Sequence, residues 1–465
     1  MQASERRNLD LDTVLVVGLG KSGLASTAAL RALGSRVIAT DEKPRAQLAD
    51  AIARVEAQGA RFLSPSELDA VLAGVTLAVL SPGIPPASPV LQRIRAAGTT
   101  AIGEVELAWT MCAAPIVAIT GTKGKSTTAS LVTHLMRVAG KDARLGGNIG
   151  APLVDAVAGA TAQTWVVAEL SSFQLETIVD LAPRISVLLN IAPDHLDRYA
   201  TIDEYAAAKF RIFVNAGEGD SIVLDRDDSR LAALERRFEA QDCKASRFWY
   251  ALREPENGLS MGLHGDDVVY VAQGRAPQPL FARGDLRLLG DHNLRNAMAA
   301  SLAALHAGCD PDDIRAGVRS FRGLHHRLER VEEIDGVLYV DDSKATNPAA
   351  AAAALLSFDR PVLLIAGGRS KGTDVRELRE VIARRAKATI AIGETAQEFA
   401  GIPGPSFERA DSIEEAVQRA RRLATPGDVV LLAPACASFD MFGSAEERGE
   451  RFARAVRLLG EATHA

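Results

Sequence analysis

The sequence predicts an α/β protein of three domains, and three observations lead there. Short β-branched runs alternate with Ala/Leu-rich amphipathic stretches, which is the pattern of βαβ units around a parallel sheet. That alternation starts three times: from Thr13 (VLVVG, then RVIATD), from Pro115 (IVAIT) and near Tyr339 (YVDDS, then VLLIAGG, TIAIG and VVLLAPA). At 465 residues the chain also outgrows one hydrophobic core, since single cores rarely exceed ~250 to 300 residues.

GTTAIGE and FRGLHHR interrupt the pattern near 103 and 323, so the expected domains are 1–103, 104–323 and 324–465. The first and last read as Rossmann-like. The central one reads as a P-loop, ATPase-like α/β module. Between Asp220 and Leu289 the runs SIVLD, FWYAL, DVVYV and DLRLLG replace helices, predicting a small antiparallel patch on that module. The alanine run at 349–354 reads as a helix start whose apolar face Leu355 and Leu356 continue.

Composition narrows the class of function. With 47% hydrophobic and 24% charged residues, long disorder is excluded. A net charge of -6 over this length creates no field for nucleic acid or an anionic membrane, so any phosphate binding is local. Cys112, Cys243, Cys309 and Cys436 lie far apart without CxxC spacing, which argues for buried apolar thiols over disulfides or a thiolate metal site. No apolar leader follows MQASERRNLDLDT, and no run of ~18 apolar residues occurs. The expectation is a cytoplasmic protein without membrane insertion.

The strongest motif is Gly121-Thr122-Lys123-Gly124-Lys125-Ser126-Thr127, placed between an apolar strand and a helical stretch. Glycines let backbone N–H groups close around phosphate, the helix dipole favours the anion, Lys125 adds a point charge, and the Ser126 hydroxyl can ligate Mg²⁺. Ile119 stands where a longer Walker loop would begin with glycine, so this is the shorter form GxxGKST.

The turn Gly18-x-Gly20-x-x-Gly23 also follows a strand, with Asp41 at the end of the next. Three readings stay open for it: a nucleotide-sugar site, a dinucleotide site, or a purely structural turn. A second nucleotide site in the central module and the lack of hydride chemistry nearby favour the first. Glu169 closes the apolar strand of VVAELSSFQ and suits an acidic Mg²⁺ ligand, although a carboxylate favoured by a helix N-terminus fits the same spacing. His195 sits in the polar segment NIAPDHLDRY, where a ligand and a surface histidine are equally compatible with the sequence. Lys209, within EYAAAKFRIF, reads by default as a solvated helical lysine. In the last module VDDSKATNP, GGRSKG and ACASFD each follow a strand, and three strand ends converging suggest a ligand crevice.

In order, GTKGKST, ELSSFQLE, DHLDRY, AAKFRI, GDHNLRNAMAA, LHHRLE, DDSKATN and APACASFD resemble the Mur ligase family, from about Leu15 to Leu458. DSKATN is the most specific of these. The resemblance implies ATP-dependent joining of D-glutamate to UDP-N-acetylmuramoyl-L-alanine through an acyl phosphate, in peptidoglycan precursor synthesis, by a monomer. The alternatives are the same chemistry with L-glutamate and a ligation like that of folylpolyglutamate synthases. A nicotinamide oxidoreductase built on the first glycine turn and a regulatory P-loop ATPase are more distant rivals.

The resemblance further implies ATP and two Mg²⁺ ions, with Ser126 and Glu169 holding one ion and His195 the other together with a carbamylated Lys209. Lys125 would act on the phosphates; Asn293, Asn296, Arg327 and Asp342 would contact ATP. Ser22, Asp41, Gly83 and Asn148, with Gly18, Gly20, Gly23, Ser171 and Gln174, would bind the UDP substrate. Thr346, Lys371 and Ser438 would bind glutamate. The chain departs from the family pattern at Lys123, where asparagine is common, at Glu42 and Lys43 in place of uridine contacts, and at Ala445 in place of an aromatic.

Overall fold

The computed structural model describes residues 9–463 except 197, 235, 237, 239–242, 256–257, 273–275, 289, 371 and 373–375. Three sheets carry the chain. The first contains β1 (Thr13–Val17), β2 (Arg36–Thr40), β3 (Arg61–Phe62), β4 (Leu77–Leu80) and β5 (Thr100–Gly103), all parallel in the order β3-β2-β1-β4-β5. Every residue of β1 and β4 is buried, as expected where helices cover both faces of a parallel sheet.

The second sheet has nine strands: β6 (Ile116–Thr120), β7 (Ala143–Gly147), β8 (Trp165–Glu169), β9 (Ile185–Leu188), β10 (Ser221–Asp225), β11 (Ser246–Tyr250), β12 (Met261–His264), β13 (Asp267–Tyr270) and β14 (Gln278–Ala282). Their order is β14-β13-β12-β11-β10-β9-β6-β8-β7. The antiparallel patch exists but is smaller than expected. SIVLD and FWY run parallel to their neighbours, and only β12, β13 and β14 pair antiparallel. DLRLLG forms no strand among its described residues. The chain tightens into the 3₁₀ turn Arg283–Asp285, where the Asp285 carboxylate accepts from the Ala282 N–H at 3.1 Å.

The third sheet orders β15 (Glu329–Ile334), β16 (Val337–Asp341), β20 (Val429–Leu432), β17 (Val362–Gly367), β18 (Ala386–Ile392) and β19 (Ser406–Arg409) side by side. Only β15 is antiparallel to its neighbour. The alanine run lies in the helix Pro348–Leu356, with Leu355 buried but Leu356 exposed. Cys112, Cys309 and Cys436 are buried thiols and Cys243 is half-buried.

The first two sheets form one compact unit, reaching Leu286 and including Asp291–Phe321; the third sheet forms another, with Arg287–Gly290 and the chain from Arg322. In the first unit the helix Glu104–Met111 carries two buried carboxylates. Glu104 accepts from Val154 N–H at 2.9 Å, and Glu106 from Val179 and Asp180 N–H at 2.8 Å each. Among the described residues no helix is long and apolar enough to cross a membrane.

Candidate active site

β6 delivers the chain into Gly121–Gly124 and the helix Lys125–Val138 begins at once. Gly124 is left-handed at φ 85°, and a Cβ there would lie 2.3 Å from Asn296 Oδ1, so only glycine closes this turn. The loop is braced from the side by the segment after β9. Thr122 N–H donates to Asn190 O (3.0 Å), Lys123 N–H to Asn190 Oδ1 (2.9 Å), and Ala192 N–H to Thr122 Oγ1 (3.0 Å). Lys125 Nζ folds over the loop and donates to the carbonyls of Gly121 (2.8 Å) and Thr122 (3.0 Å). Lys123 points outward, 3.6 Å from Asp194. Ser126 and Thr127 are partly buried in the first helical turn.

Glu169 ends β8 beside this loop and is 1% exposed. Asn148 Nδ2 donates to its Oε1 at 2.8 Å, while Oε2 is buried without a hydrogen-bond partner among the described residues. An ionised oxygen left so is costly unless a cation meets it, so the donor set fits Mg²⁺ at Glu169 and Ser126. Ser171 and Gln174 close a capping box on the helix Ser172–Leu175, Ser171 N–H donating to Gln174 Oε1 at 2.9 Å.

Lys209 is not the solvated lysine its helix suggested. It is 1% exposed, with Nζ 3.4 Å from Thr120 Oγ1 and 4.7 Å from the centre of the Tyr205 ring. Burial, with Lys125 nearby, pulls its ammonium down to about 7. His195 is exposed, in a left-handed backbone at φ 53°, its ring 4.9 Å from Phe173. Asn296 presses on the phosphate loop and donates to Asn293 Oδ1 at 3.3 Å, so both residues of the helix Asp291–His306 face the same place.

At the first glycine turn, Gly18 is at φ 91°, and a Cβ on Gly23 would stand 1.8 Å from Gly18 O. Gly20 precedes the helix Lys21–Ala32 without a side-chain cap, leaving its N-terminus open beside the partly buried Ser22. Both Asp41 oxygens are engaged, accepting from Leu19 N–H (2.7 Å) and Lys43 N–H (2.9 Å). These two bonds tie the carboxylate into the turn and leave each oxygen one further acceptor site. Glu42 is also engaged, accepting from Ser88 Oγ at 2.6 Å and capping the helix Pro89–Ala96. Gly83 has open space where a side chain would be.

In the second unit the three strand ends do converge. Arg369 and Ala437 exchange backbone hydrogen bonds (2.9 and 3.0 Å), and Ala435 N–H donates to Ala345 O at 2.9 Å. Ser438 is buried and Thr346 partly so; Lys371 lies outside the described residues. Asp342 is desolvated, which pushes its carboxyl up to about 7 against the Leu328 N–H and the Arg327 charge. Arg327 sits between two left-handed residues, His326 (φ 63°) and Leu328 (φ 44°).

Sequence reasoning passed over several supporting groups. Arg448 is fully buried and donates to Ser343 Oγ and Ser343 O at 2.9 Å each. His326 shares a 2.7 Å hydrogen bond with Asp341. Asn190 and Tyr205 complete the phosphate-loop surroundings. Asn190, His326 and Asp341 stood within the noted motifs; nothing local marked Arg448.

A phosphate loop, a buried carboxylate with one oxygen unpaired among the described residues and a desolvated lysine gathered at strand ends define a nucleotide-dependent α/β enzyme. Family profiles match in the same order: the Mur ligase MurD-like N-terminal domain over residues 12–103, the Mur ligase middle domain over 119–304, and the Mur ligase glutamate ligase domain over 326–436. A UDP-N-acetylmuramoylalanine--D-glutamate ligase of Desulfitobacterium hafniense (strain Y51) is 42% identical over 97% of this chain and 98% of its own. One of Geobacter metallireducens is 42% identical over 96% and 97%. The chain belongs to the Mur ligase family. Among solved structures, UDP-N-acetylmuramate-alanine ligase MurC of Thermotoga maritima shares the fold with a TM-score of 0.55 at 16% identity, over 97% of this chain and 100% of that one. A UDP-N-acetylmuramoyl-L-alanyl-D-glutamate--2,6-diaminopimelate ligase does so with 0.57 at 20%, over 93% of each.

Proposed function

We propose that this chain joins D-glutamate to UDP-N-acetylmuramoyl-L-alanine at the expense of ATP, in peptidoglycan precursor synthesis. What carries the reading is the 42% identity, over 97% of the chain, to a ligase of that name. The substrate carboxylate attacks the γ-phosphate of ATP, giving an acyl phosphate and ADP; the amine of glutamate then attacks the carbonyl and phosphate leaves.

The loop Gly121–Thr127 cradles the phosphates through its N–H groups, and Lys125 exchanges its two loop carbonyls for them. Asn293 and Asn296, with Arg327 and Asp342, bind ATP. Ser126 and Glu169 hold one Mg²⁺, His195 and Lys209 a second, and these ions supply charge neutralisation at the transferring phosphoryl group. Lys209 serves as a carbamate: a lysine whose ammonium falls to about 7 presents a neutral amine near physiological pH, and that amine adds CO₂ with loss of one proton. The turn of Gly18, Gly20, Ser22 and Gly23, held by Asp41, receives the UDP end together with Gly83, while Asn148, Ser171 and Gln174 line the path toward Glu169. Thr346, Lys371 and Ser438 take glutamate. The domain bounds proposed with this function are 1–103, 104–323 and 324–465, with residues of more than one range serving the UDP and ATP sets.

The test is phosphate release from ATP with UDP-N-acetylmuramoyl-L-alanine and D-glutamate, L-glutamate or no amino acid. Turnover with D-glutamate alone is expected. Turnover with L-glutamate alone would reassign the amino-acid pocket, where Ala445 replaces an aromatic, and release without any amino acid would overturn the ligase reading.

A further inference from the structure

Among its described residues the segment that carries His195 has no helix or strand, and His195 itself is left-handed at φ 53°. Such a backbone persists only where its surroundings fix it. The structure shows what does so. The carbonyl of His195 accepts from Arg198 N–H at 3.0 Å and Tyr199 N–H at 3.1 Å, closing a tight turn. The side chains of those two donors then converge on one carboxylate. Arg198 reaches Glu176 through Nε (3.2 Å to Oε1) and Nη2 (2.5 Å to Oε2), and the Tyr199 hydroxyl donates to Glu176 Oε1.

Glu176 follows the short helix Ser172–Leu175 that leaves β8 just after Glu169. Phe173 of that helix contacts both ends of the turn. The Arg198 guanidinium lies 4.3 Å from its ring centre, and the His195 ring lies 4.9 Å from it. The Arg198–Glu176 pair is mostly shielded, at 15% and 20% side-chain exposure, so solvent screens it less than a surface pair.

We infer that Glu176, Arg198 and Tyr199 are positioning residues, a clamp that fixes the His195 imidazole relative to Glu169 so that the two metal positions keep one spacing. The inference rests on the proposed role of His195 as a metal ligand. Groups that orient a ligand from behind typically change metal affinity 10–100-fold when altered.

The test counts Mn²⁺ bound to the full chain by electron paramagnetic resonance, with ADP and bicarbonate present, for wild type, Glu176→Gln, Arg198→Lys, Tyr199→Phe and His195→Ala. Two ions are expected in wild type. Glu176→Gln and Arg198→Lys should weaken the less tightly held ion about tenfold and leave the tighter ion unchanged, as His195→Ala should do more severely. Arg198→Lys keeps the charge and loses only the two-pronged geometry, and Tyr199→Phe loses only a hydroxyl. Should Glu176→Gln not fold, these two still decide the matter. If His195→Ala weakens an ion and the clamp variants do not, the clamp is wrong. If His195→Ala changes neither ion, the metal role of His195 itself fails and the clamp with it.

Discussion

Lys209 shows how far a single residue can depart from what its neighbours in sequence suggest. EYAAAKFRIF has the composition of a solvated helix, yet the side chain is buried against Thr120 at the end of β6. That placement depends on how the helix Ile202–Phe210 docks, which no local pattern encodes. Burial costs a charged ammonium several kcal/mol unless it is neutralised; under the proposed function a carbamate would stand in its place, and its negative charge would be met by the second Mg²⁺. Lys209→Ala and Lys209→Arg are both expected to lower ligation at least ~100-fold, since arginine stays charged and forms no carbamate. Phosphate-release assays check this, and ¹³C-labelled bicarbonate should give a carbamate resonance in wild type that both variants lack. Asp41 is the reverse case. Its position at a strand end was legible, whereas its hydrogen bonds to Leu19 and Lys43 N–H were not, because they appear only once the turn is folded.

At the scale of elements the phosphate loop was the most legible feature, because its chemistry needs backbone conformations that only glycine supplies. Gly124 is left-handed and its missing Cβ leaves room for Asn296. Gly124→Ala should cost ~1–2 kcal/mol in backbone strain alone and push Asn296 aside. ATP binding, followed by isothermal titration, should weaken at least tenfold while binding of the UDP substrate stays near wild type. Strand direction was less legible. Alternating hydrophobicity identified SIVLD and FWYAL as strands, but a period of two is the same for parallel and antiparallel pairing, and both proved parallel. DLRLLG failed for another reason: Asp285 bonds the backbone of Ala282 and ends the sheet, a competition that apolar counting does not see.

For the whole molecule, buried ionisable groups in both units make stability depend on pH, with opposing signs for carboxyls and histidine. Glu104, in the first, has its carboxyl raised from 4.5 to about 7 chiefly by burial. Asp342, in the second, is raised from 3.8 to about 7 for the same reason. For each, the folded state holds a proton that the unfolded state has lost, so stability is fully present below the unfolded value and falls as pH rises through about 7. His306, lowered to about 4 by burial, pulls the other way, because there the unfolded state binds the extra proton. Absolute melting curves therefore mix opposing slopes, and the difference between variant and wild type isolates one group. Glu104→Gln keeps an oxygen for the Val154 N–H and removes the ionisation. Its advantage over wild type should be near zero at pH 4, grow between pH 5 and 7, and level off above pH 8 at about 3 kcal/mol. All three tryptophans, Trp109, Trp165 and Trp249, belong to the first unit, so their fluorescence during denaturant unfolding reads this difference directly. Asp342→Asn should show the same sign of pH dependence in calorimetry, because its carboxylate is in the unit without tryptophan. A Glu104→Gln advantage that did not change between pH 5 and 8 would mean that the carboxylate is already ionised where it is buried.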